Sequence, residues 1–305
     1  MKNFKIIVIL LISSVITLSC SSDDKTIDKV FADIERGAVL RTLNSTNTYN
    51  FYDPNDARFV FDLSVEAQAD DGAVPKTLRL YQSFKDNTDD GVDNSKPEVL
   101  MNTIDVSTLS IGDNGFPAFT LPTMSLTDAL NLGGLNDGEY FGLDQFIYRF
   151  ELESEDGRVF TDDVGGTVSG GSFFLSPFSY VVTIKCVPII AIPGVYTIRM
   201  ADDFGDGWQT DDPNGGSGIT LDLDGTVIEF GLCSPYQGSD FDCTPGSSAG
   251  ETTVEIPVGT TTAVWNFPGD FYGEISFKII DPFGDVALEV GLGTAAGELF
   301  LNICQ

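Results

Sequence analysis

The chain contains no histidine among its 305 residues, and Lys and Arg are scarce. The missing histidine excludes Ser-His-Asp and Cys-His catalytic arrangements and zinc sites built on imidazole. Sixteen basic residues face 46 acidic ones, for a formal net charge of −30. Because phosphate binding needs clustered Lys and Arg, this charge argues against nucleic acid and anionic headgroups as partners. Catalysis by carboxylates alone, as in glycosidases, is not excluded.

Long apolar runs are confined to the beginning of the chain. Lys2 and Lys5 accompany an apolar run from Ile6 to Ile12, which is too short for a permanent membrane helix. Ser19 and Cys20 close this stretch.

This start resembles a bacterial lipoprotein signal, in which the cysteine is acylated and becomes the new first residue. Thr17 stands where that pattern prefers leucine, and Leu18 follows one place later. The resemblance implies that residues 1–19 are removed, that Cys20 is lipidated, and that residues 20–29 form a polar tether. The acidic residues after Cys20 resemble the surface-export tether of lipoproteins from the Bacteroidota. The alternative is an ordinary secretory signal with a chance cysteine.

Four further cysteines lie in the C-terminal half of the chain: Cys186, Cys233, Cys243 and Cys304. An even number in an exported chain indicates two disulfides, with three possible pairings. We expect Cys233–Cys243, which closes a short loop, and Cys186–Cys304, which would join the first and last strands of one domain. Their spacing differs from that of paired CxxC zinc ligands.

The sequence predicts an all-β protein with two β-sandwich domains, the first spanning residues 30–172. Strands are expected at Val39–Leu43, Phe59–Ala67, Thr77–Phe84, Val99–Val106, Phe146–Glu153 and Arg158–Thr161. Ser125 predicts the N-cap of a short helix over Leu126–Leu132. Asp156-Gly157 predicts a hairpin turn. Strands at this spacing, without a Cys–Trp–Cys pattern, favour an immunoglobulin-like sandwich.

The second domain is expected at residues 180–305. The glycine-rich residues 164–172 are typical of a linker. About eight short strands follow, with a second hairpin signal at Asp224-Gly225, which favours a jelly-roll-like sandwich.

An acidic, glycine-rich stretch at residues 200–216 is the pattern in the chain that most strongly suggests a functional site. Asp202, Asp206, Asp211 and Asp212 offer oxygen ligands on a loop that can curl, which suits Ca²⁺. The stretch resembles an Asp-x-aromatic-Gly-Asp-Gly-Trp turn found in many exported β-domains. The alternative is a structural turn, in which the Asp side chains accept from their own backbone and Trp208 packs on the sheet.

A group of aromatic residues offers a second candidate site. Trp208 and Trp265, together with Tyr236, Phe271 and Tyr272, could form a face on which sugar rings stack. The competing interpretation is that these rings belong to the core.

Several stretches together resemble lipoproteins of the Bacteroidota that accompany SusC/SusD-type outer-membrane uptake systems. They are the lipoprotein start, the Ser125-Leu126 helix leading to Leu143–Phe150 and Asp156–Phe160, and the entry Ser176–Tyr180. The resemblance implies a non-catalytic accessory subunit on the cell surface, with a TonB-dependent SusC-like barrel and a SusD-like lipoprotein as partners. Similar lipoproteins occur in other barrel machines, for barrel assembly or secretion. An architectural subunit and a carboxylate-dependent glycan-active enzyme are the alternatives.

Overall fold

The computed structural model describes residues 37–69, 73–170, 173–236 and 241–304. These residues form two β-sandwiches joined in sequence, which confirms the predicted all-β sandwich class. Within these ranges no helix is both long and apolar enough to cross a membrane.

The first sandwich contains nine strands and two short helices. The strands are β1 (Ala38–Asn50), β2 (Phe61–Ala69), β3 (Pro75–Lys85), β4 (Lys96–Asp105), β5 (Ser110–Ile111), β6 (Pro117–Thr120), β7 (Gln145–Ser154), β8 (Val159–Phe160) and β9 (Ser179–Lys185). The helices are α1 (Leu126–Gly133) and α2 (Gly166–Ser169), and a 3-10 turn covers Val106–Thr108.

Strand β1 belongs to both sheets of this sandwich. Its first part pairs antiparallel with β2, and Thr48–Asn50 pair in parallel with β9. One sheet therefore runs β1-β2-β6-β5, and the other runs β4-β3-β7-β9-β1 with β8 beside β7. Phe61 from one sheet stacks on Tyr148 from the other, with ring centroids 4.2 Å apart, inside a single core.

Helix α1 begins where the sequence predicts it. The Ser125 hydroxyl accepts from the Asp128 backbone N–H, and the Asp128 carboxylate accepts from the Ser125 N–H, so both orphan donors are satisfied. Gly134 ends the helix in the left-handed conformation, at φ 63°. Leu126 and Ala129 are fully buried and hold this two-turn helix on the core.

The boundary between the domains lies further along the chain than expected. We expected residue 180 to begin the second domain, but β9 pairs with β7 and β1 of the first sandwich. Its inward side chains, Tyr180, Val182 and Ile184, are buried in the first core. The described part of the glycine-rich stretch is tied to the same sandwich, because the Val168 carbonyl accepts from the Ser176 N–H and the Ser176 hydroxyl accepts from the Leu40 N–H of β1. The linker is therefore residues 186–193.

The second sandwich packs two four-stranded sheets. Its strands are β10 (Gly194–Asp202), β11 (Ile219–Leu223), β12 (Thr226–Phe230), β13 (Ala249–Ile256), β14 (Ala263–Phe267), β15 (Ile275–Ile280), β16 (Val286–Val290) and β17 (Gly297–Leu299). One sheet has the order β13-β10-β15-β16 and the other β12-β11-β14-β17. The predicted hairpin forms between β11 and β12, with Asp224 and Gly225 both at positive φ as a type I′ turn requires.

Both predicted disulfides are present, and the longer one closes the junction between the sandwiches. Cys186 is bonded to Cys304, and Cys233 to Cys243. The Asn302 side-chain oxygen accepts from the Cys186 N–H at 2.7 Å, and the Cys186 carbonyl accepts from the Ile303 N–H. We expected Cys186–Cys304 to join two strands of one domain. Instead it ties the end of the second sandwich to the residue after β9.

Candidate functional site

The acidic loop after β10 is built around one carboxylate. Asp202 Oδ1 accepts from the backbone N–H groups of Gly205 and Asp206, so the chain turns back at once. Trp208 Nε1 donates to the Ala201 carbonyl at 3.1 Å, and its ring packs against Phe277 in the core. The structural role that the sequence offered as the alternative is therefore correct for Trp208 and for one oxygen of Asp202.

Strand pairing adds a third carboxylate to this loop. Asp202 stands opposite Ile275 in the antiparallel pair of β10 and β15, so Glu274 lies beside the turn. The Asp203 N–H donates to the Glu274 carbonyl at 2.9 Å and fixes this placement. The sequence prediction missed Glu274 because 67 residues separate it from Asp206 in the chain. Only the β10–β15 register, which periodicity does not give, brings them together.

Asp202, Asp206 and Glu274 form one cluster, with an oxygen from each within 4.8 Å of the others. Asp202 Oδ2 and Asp206 Oδ1 are buried and accept no hydrogen bond in the described part of the chain. None of the ion pairs between described residues involves any of the three side chains. Like charges are thus held together without a Lys or Arg from the described part of the chain to offset them.

The electrostatics reflect this crowding. Burial raises the pKa of Asp202 above its ordinary value, and the charges of Asp206 and Asp270 act in the same direction. Burial also raises the pKa of Glu274, again with the neighbouring carboxylates adding to the effect. Both raised pKa values mean that these two carboxyl groups keep their protons to a higher pH than free carboxyl groups do.

Gln209 lies next to this cluster and is equally short of partners. The residue is 1% exposed, yet neither Oε1 nor Nε2 has a hydrogen-bond partner within the described ranges. It lines the same cleft as Asp206 and Glu274. Its position is fixed through the backbone, where the Gln209 carbonyl accepts from the Phe271 N–H at 3.1 Å.

Exposed aromatic rings surround the acids. Phe204, Tyr236 and Tyr272 line an open cleft of about 520 Å³ with Asp206 and Glu274, and they are 76%, 60% and 58% exposed. The Tyr236 hydroxyl donates to Asp206 Oδ2 at 2.8 Å, which joins the rim to the acidic base. The Cys233–Cys243 disulfide holds the segment that carries Tyr236.

Two of the four predicted metal ligands lie outside this cluster. Asp211 accepts from the Ser217 N–H and hydroxyl at 2.8 and 3.0 Å. Asp212 accepts from the Asn214 N–H at 2.8 Å. Both close the turn at residues 211–217, so of the four predicted residues only Asp202 and Asp206 lie in the acidic cluster, where Glu274 joins them.

The predicted stacking face does not include the two tryptophans. Trp208 is 3% exposed and Trp265 is 2% exposed, so neither presents a ring to solvent. Both rings pack in the hydrophobic core of the second sandwich. Tyr236, Phe271 and Tyr272 remain exposed, and Phe204 joins them.

Another groove lies at the junction of the two sandwiches. It encloses about 260 Å³ and is lined by Arg58 and Glu298 together with residues 187–192. Phe59 meets Phe300 edge-on at 4.8 Å beside an Arg58–Glu298 contact of 3.4 Å. These contacts join the domains, and of the acids that line the groove Asp56 and Glu298 are paired with Arg58. Cys20, the predicted lipidation site, lies outside the described residues.

Comparison with known proteins adds little to these observations. No protein-family model matches the chain, and no curated protein matches its sequence. A chain from a solved chaperone–tip adhesin complex of CFA/I fimbriae biogenesis is matched over 88% of this chain and 85% of its own, with 9% identity. Its TM-score of 0.14 is too low to bear on fold or function.

Proposed function

We propose that this protein is a surface-exposed outer-membrane lipoprotein that binds carbohydrate in the acidic cleft. In this role it is a non-catalytic recognition subunit beside a SusC/SusD-like TonB-dependent transporter. The exposed rim of Phe204, Tyr236 and Tyr272 over Asp206 and Glu274 is the observation that carries the proposal.

Sugars present two kinds of surface, and the cleft matches both. Their C–H faces pack on aromatic rings, and their hydroxyl groups donate to carboxylate oxygens. Exposed rings and carboxylates line the same cleft, and the Tyr236 hydroxyl contacts Asp206 directly. The cleft is open rather than closed, which suits a chain that extends beyond the bound unit.

The remaining parts of the proposal rest on the start of the chain and on the cysteines. The lipoprotein-like stretch ending at Cys20 supports anchoring, and the two disulfides support an oxidising compartment. The link to a SusC/SusD-like system rests on the resemblance of the lipoprotein start and of the stretches between residues 125 and 180.

A glycan array tests recognition, with two single substitutions for comparison. Tyr272→Ala removes a ring from the rim. Phe283→Ala removes a similarly exposed ring, 61% exposed, from the separate turn after β15. We expect the wild type and Phe283→Ala to bind the same glycans and Tyr272→Ala to lose them. Failure of the wild type to bind any glycan, or equal binding by Tyr272→Ala, would overturn the recognition role. Hydrolysis of the glycan by the wild type would overturn the non-catalytic one.

Cell fractionation tests the membrane anchor, and a pull-down tests the proposed transporter partners. Cys20→Ala should move the protein from the membrane to the soluble fraction while both sandwiches still fold. A pull-down from detergent-solubilised outer membranes should bring down a TonB-dependent barrel and a SusD-like lipoprotein. Membrane retention of Cys20→Ala with unaltered lipid labelling contradicts the anchor, and a pull-down without either partner contradicts the transporter role.

A further inference from the structure

Three carboxylates at the cleft gather more negative charge than the described residues offset. Asp202, Asp206 and Glu274 bring oxygens within 4.8 Å of one another, with no Lys or Arg paired to them among the described residues. Asp202 is 4% exposed, so water screens its charge poorly. A buried carboxylate is ordinarily paired with a cation or bound to a metal.

The hydrogen bonds divide the carboxylate oxygens into two sets. Asp202 Oδ1 organises the turn and Asp206 Oδ2 accepts from Tyr236. Asp202 Oδ2 and Asp206 Oδ1 are buried and accept nothing from the described residues. Each of these two carboxylates thus uses one oxygen to hold the loop and leaves the other without a partner among the described residues.

Gln209 is an independent sign that a ligand belongs here. A buried amide normally has hydrogen-bond partners, and leaving one unpaired costs about 1–3 kcal/mol for each group. Gln209 is 1% exposed, both of its side-chain polar atoms lack a partner among the described residues, and it lines the cleft together with Asp206 and Glu274. Its Oε1 is the kind of neutral oxygen that completes a cation's coordination shell.

The donor set selects the type of cation. All candidate ligands are oxygens, three from carboxylates and one from an amide, which suits a hard divalent ion rather than zinc. Ca²⁺ accepts six to eight oxygens in irregular geometry, so water or sugar hydroxyls could fill the remaining positions. Mg²⁺ demands near-octahedral geometry and loses its waters reluctantly, which fits an irregular loop less well.

We propose that Asp202, Asp206, Glu274 and Gln209 bind one Ca²⁺ ion at the base of the cleft. The ion neutralises most of the clustered charge and holds the turn after β10 against the start of β15. Since Asp206 also holds Tyr236, ion binding fixes part of the aromatic rim. The site stands on these four side chains and does not require a carbohydrate in the cleft.

Calorimetry with CaCl₂ tests the site on the whole protein, purified in detergent after chelation. The wild type should bind one Ca²⁺ per chain and melt at a higher temperature in Ca²⁺ than in EDTA, with a smaller shift in Mg²⁺. Glu274→Gln and Gln209→Leu should each weaken Ca²⁺ binding by at least about tenfold. Asp212→Asn is the matched control, because it removes an acid from the same loop outside the cluster, and it should bind Ca²⁺ as the wild type does.

Two outcomes would overturn the inference. One is a wild type that shows neither Ca²⁺ heat nor a melting shift, a result that does not depend on how any variant folds. The other is unchanged Ca²⁺ affinity in Glu274→Gln. Terbium luminescence supplies a second readout, since Tb³⁺ at this site would lie near Tyr236 and Trp208 and should be sensitised by them. A protein that binds Ca²⁺ but no glycan would uphold this site while refuting carbohydrate recognition.

Discussion

Gly207 shows how closely the turn after β10 packs against the loop that carries Tyr236. Its φ is 89°, and a Cβ placed there would lie 2.2 Å from the Cys233 carbonyl oxygen. Only glycine combines this conformation with so close an approach. The spacing Gly-Asp-Gly-Trp in the sequence is therefore a packing requirement as well as a turn signal.

Gly207→Ala should lower the free energy of unfolding by more than the cost of placing alanine at a positive φ. The positive φ contributes about 1–3 kcal/mol, and the clash with Cys233 adds a comparable cost. Gly225→Ala is the control, because Gly225 has φ 92° but no atom within 4 Å of the added Cβ. Urea unfolding measures both, and equal losses in the two variants would contradict the packing at Gly207.

The buried tyrosines predict a loss of stability at alkaline pH. Burial raises the pKa of Tyr180 and of Tyr196 to about 12, and it raises the pKa of Tyr49 and Tyr148 as well. In the unfolded chain they ionise near pH 10. The contribution of these tyrosines to the free energy of unfolding is therefore fully present below about pH 10. It falls between about pH 10 and 12, by about 1.4 kcal/mol per pH unit for each tyrosine.

Urea unfolding at several pH values, with tyrosinate absorbance as a second signal, measures this effect. Tyr196→Phe should make the decline shallower by the contribution of one group. An unfolding free energy that stays constant from pH 9 to 11.5 would contradict the burial of these hydroxyls.

At the scale of elements, the loop closed by Cys233–Cys243 carries Tyr236, one of the exposed rings that line the cleft. Its stabilisation by chain entropy is about 3 kcal/mol for a loop of this length. The Ser234 hydroxyl donates to the Asn214 carbonyl at 2.7 Å, and Tyr236 reaches Asp206. The disulfide therefore restrains two contacts of the cleft.

Replacing both Cys233 and Cys243 by Ser should weaken glycan binding while the β-sheet circular dichroism stays unchanged. The loss of restraint lets Tyr236 leave Asp206, so part of the rim is no longer preorganised. Glycan titration and circular dichroism measure the two effects. Unchanged affinity in the double variant would show that this loop takes no part in recognition.

Elements whose signals are local could be predicted from the sequence. The N-cap at Ser125 and the Asp-Gly turns at 156–157 and 224–225 depend on a few neighbouring residues, and the structure confirms them. The sequence pattern places β9 in the second sandwich, whereas β9 pairs with β1 and β7 of the first, and local periodicity does not identify such distant partners. Glu274 was missed for the same reason, and the two tryptophans were ambiguous because periodicity alone does not separate a buried ring from a binding ring.

At the scale of the whole molecule, the two sandwiches are fastened where the chain passes between them. The Cys186–Cys304 disulfide, the Asn302 contact and the Phe59–Phe300 pair all lie at this junction. The Tyr52 hydroxyl also donates to the Ile303 carbonyl at 3.1 Å. The end of the chain therefore restrains the second sandwich against the first.

Replacing Cys186 and Cys304 by Ser should lower stability by up to about 5 kcal/mol, the chain-entropy value for a loop of this length. The second sandwich should then melt in a transition separate from that of the first. Scanning calorimetry measures both effects. A single transition at the wild-type temperature would mean that the junction couples the domains without this disulfide.

The central claim is that the acidic cleft of the second sandwich is the surface with which the protein binds carbohydrate. Hydrogen exchange of the full protein, with and without the glycan that gives the strongest array signal, locates binding directly. The account predicts slower exchange in peptides covering residues 202–214 and 270–274, with the first sandwich unchanged. Protection in the first sandwich or along the junction groove, with none around Asp206 and Tyr272, would contradict it.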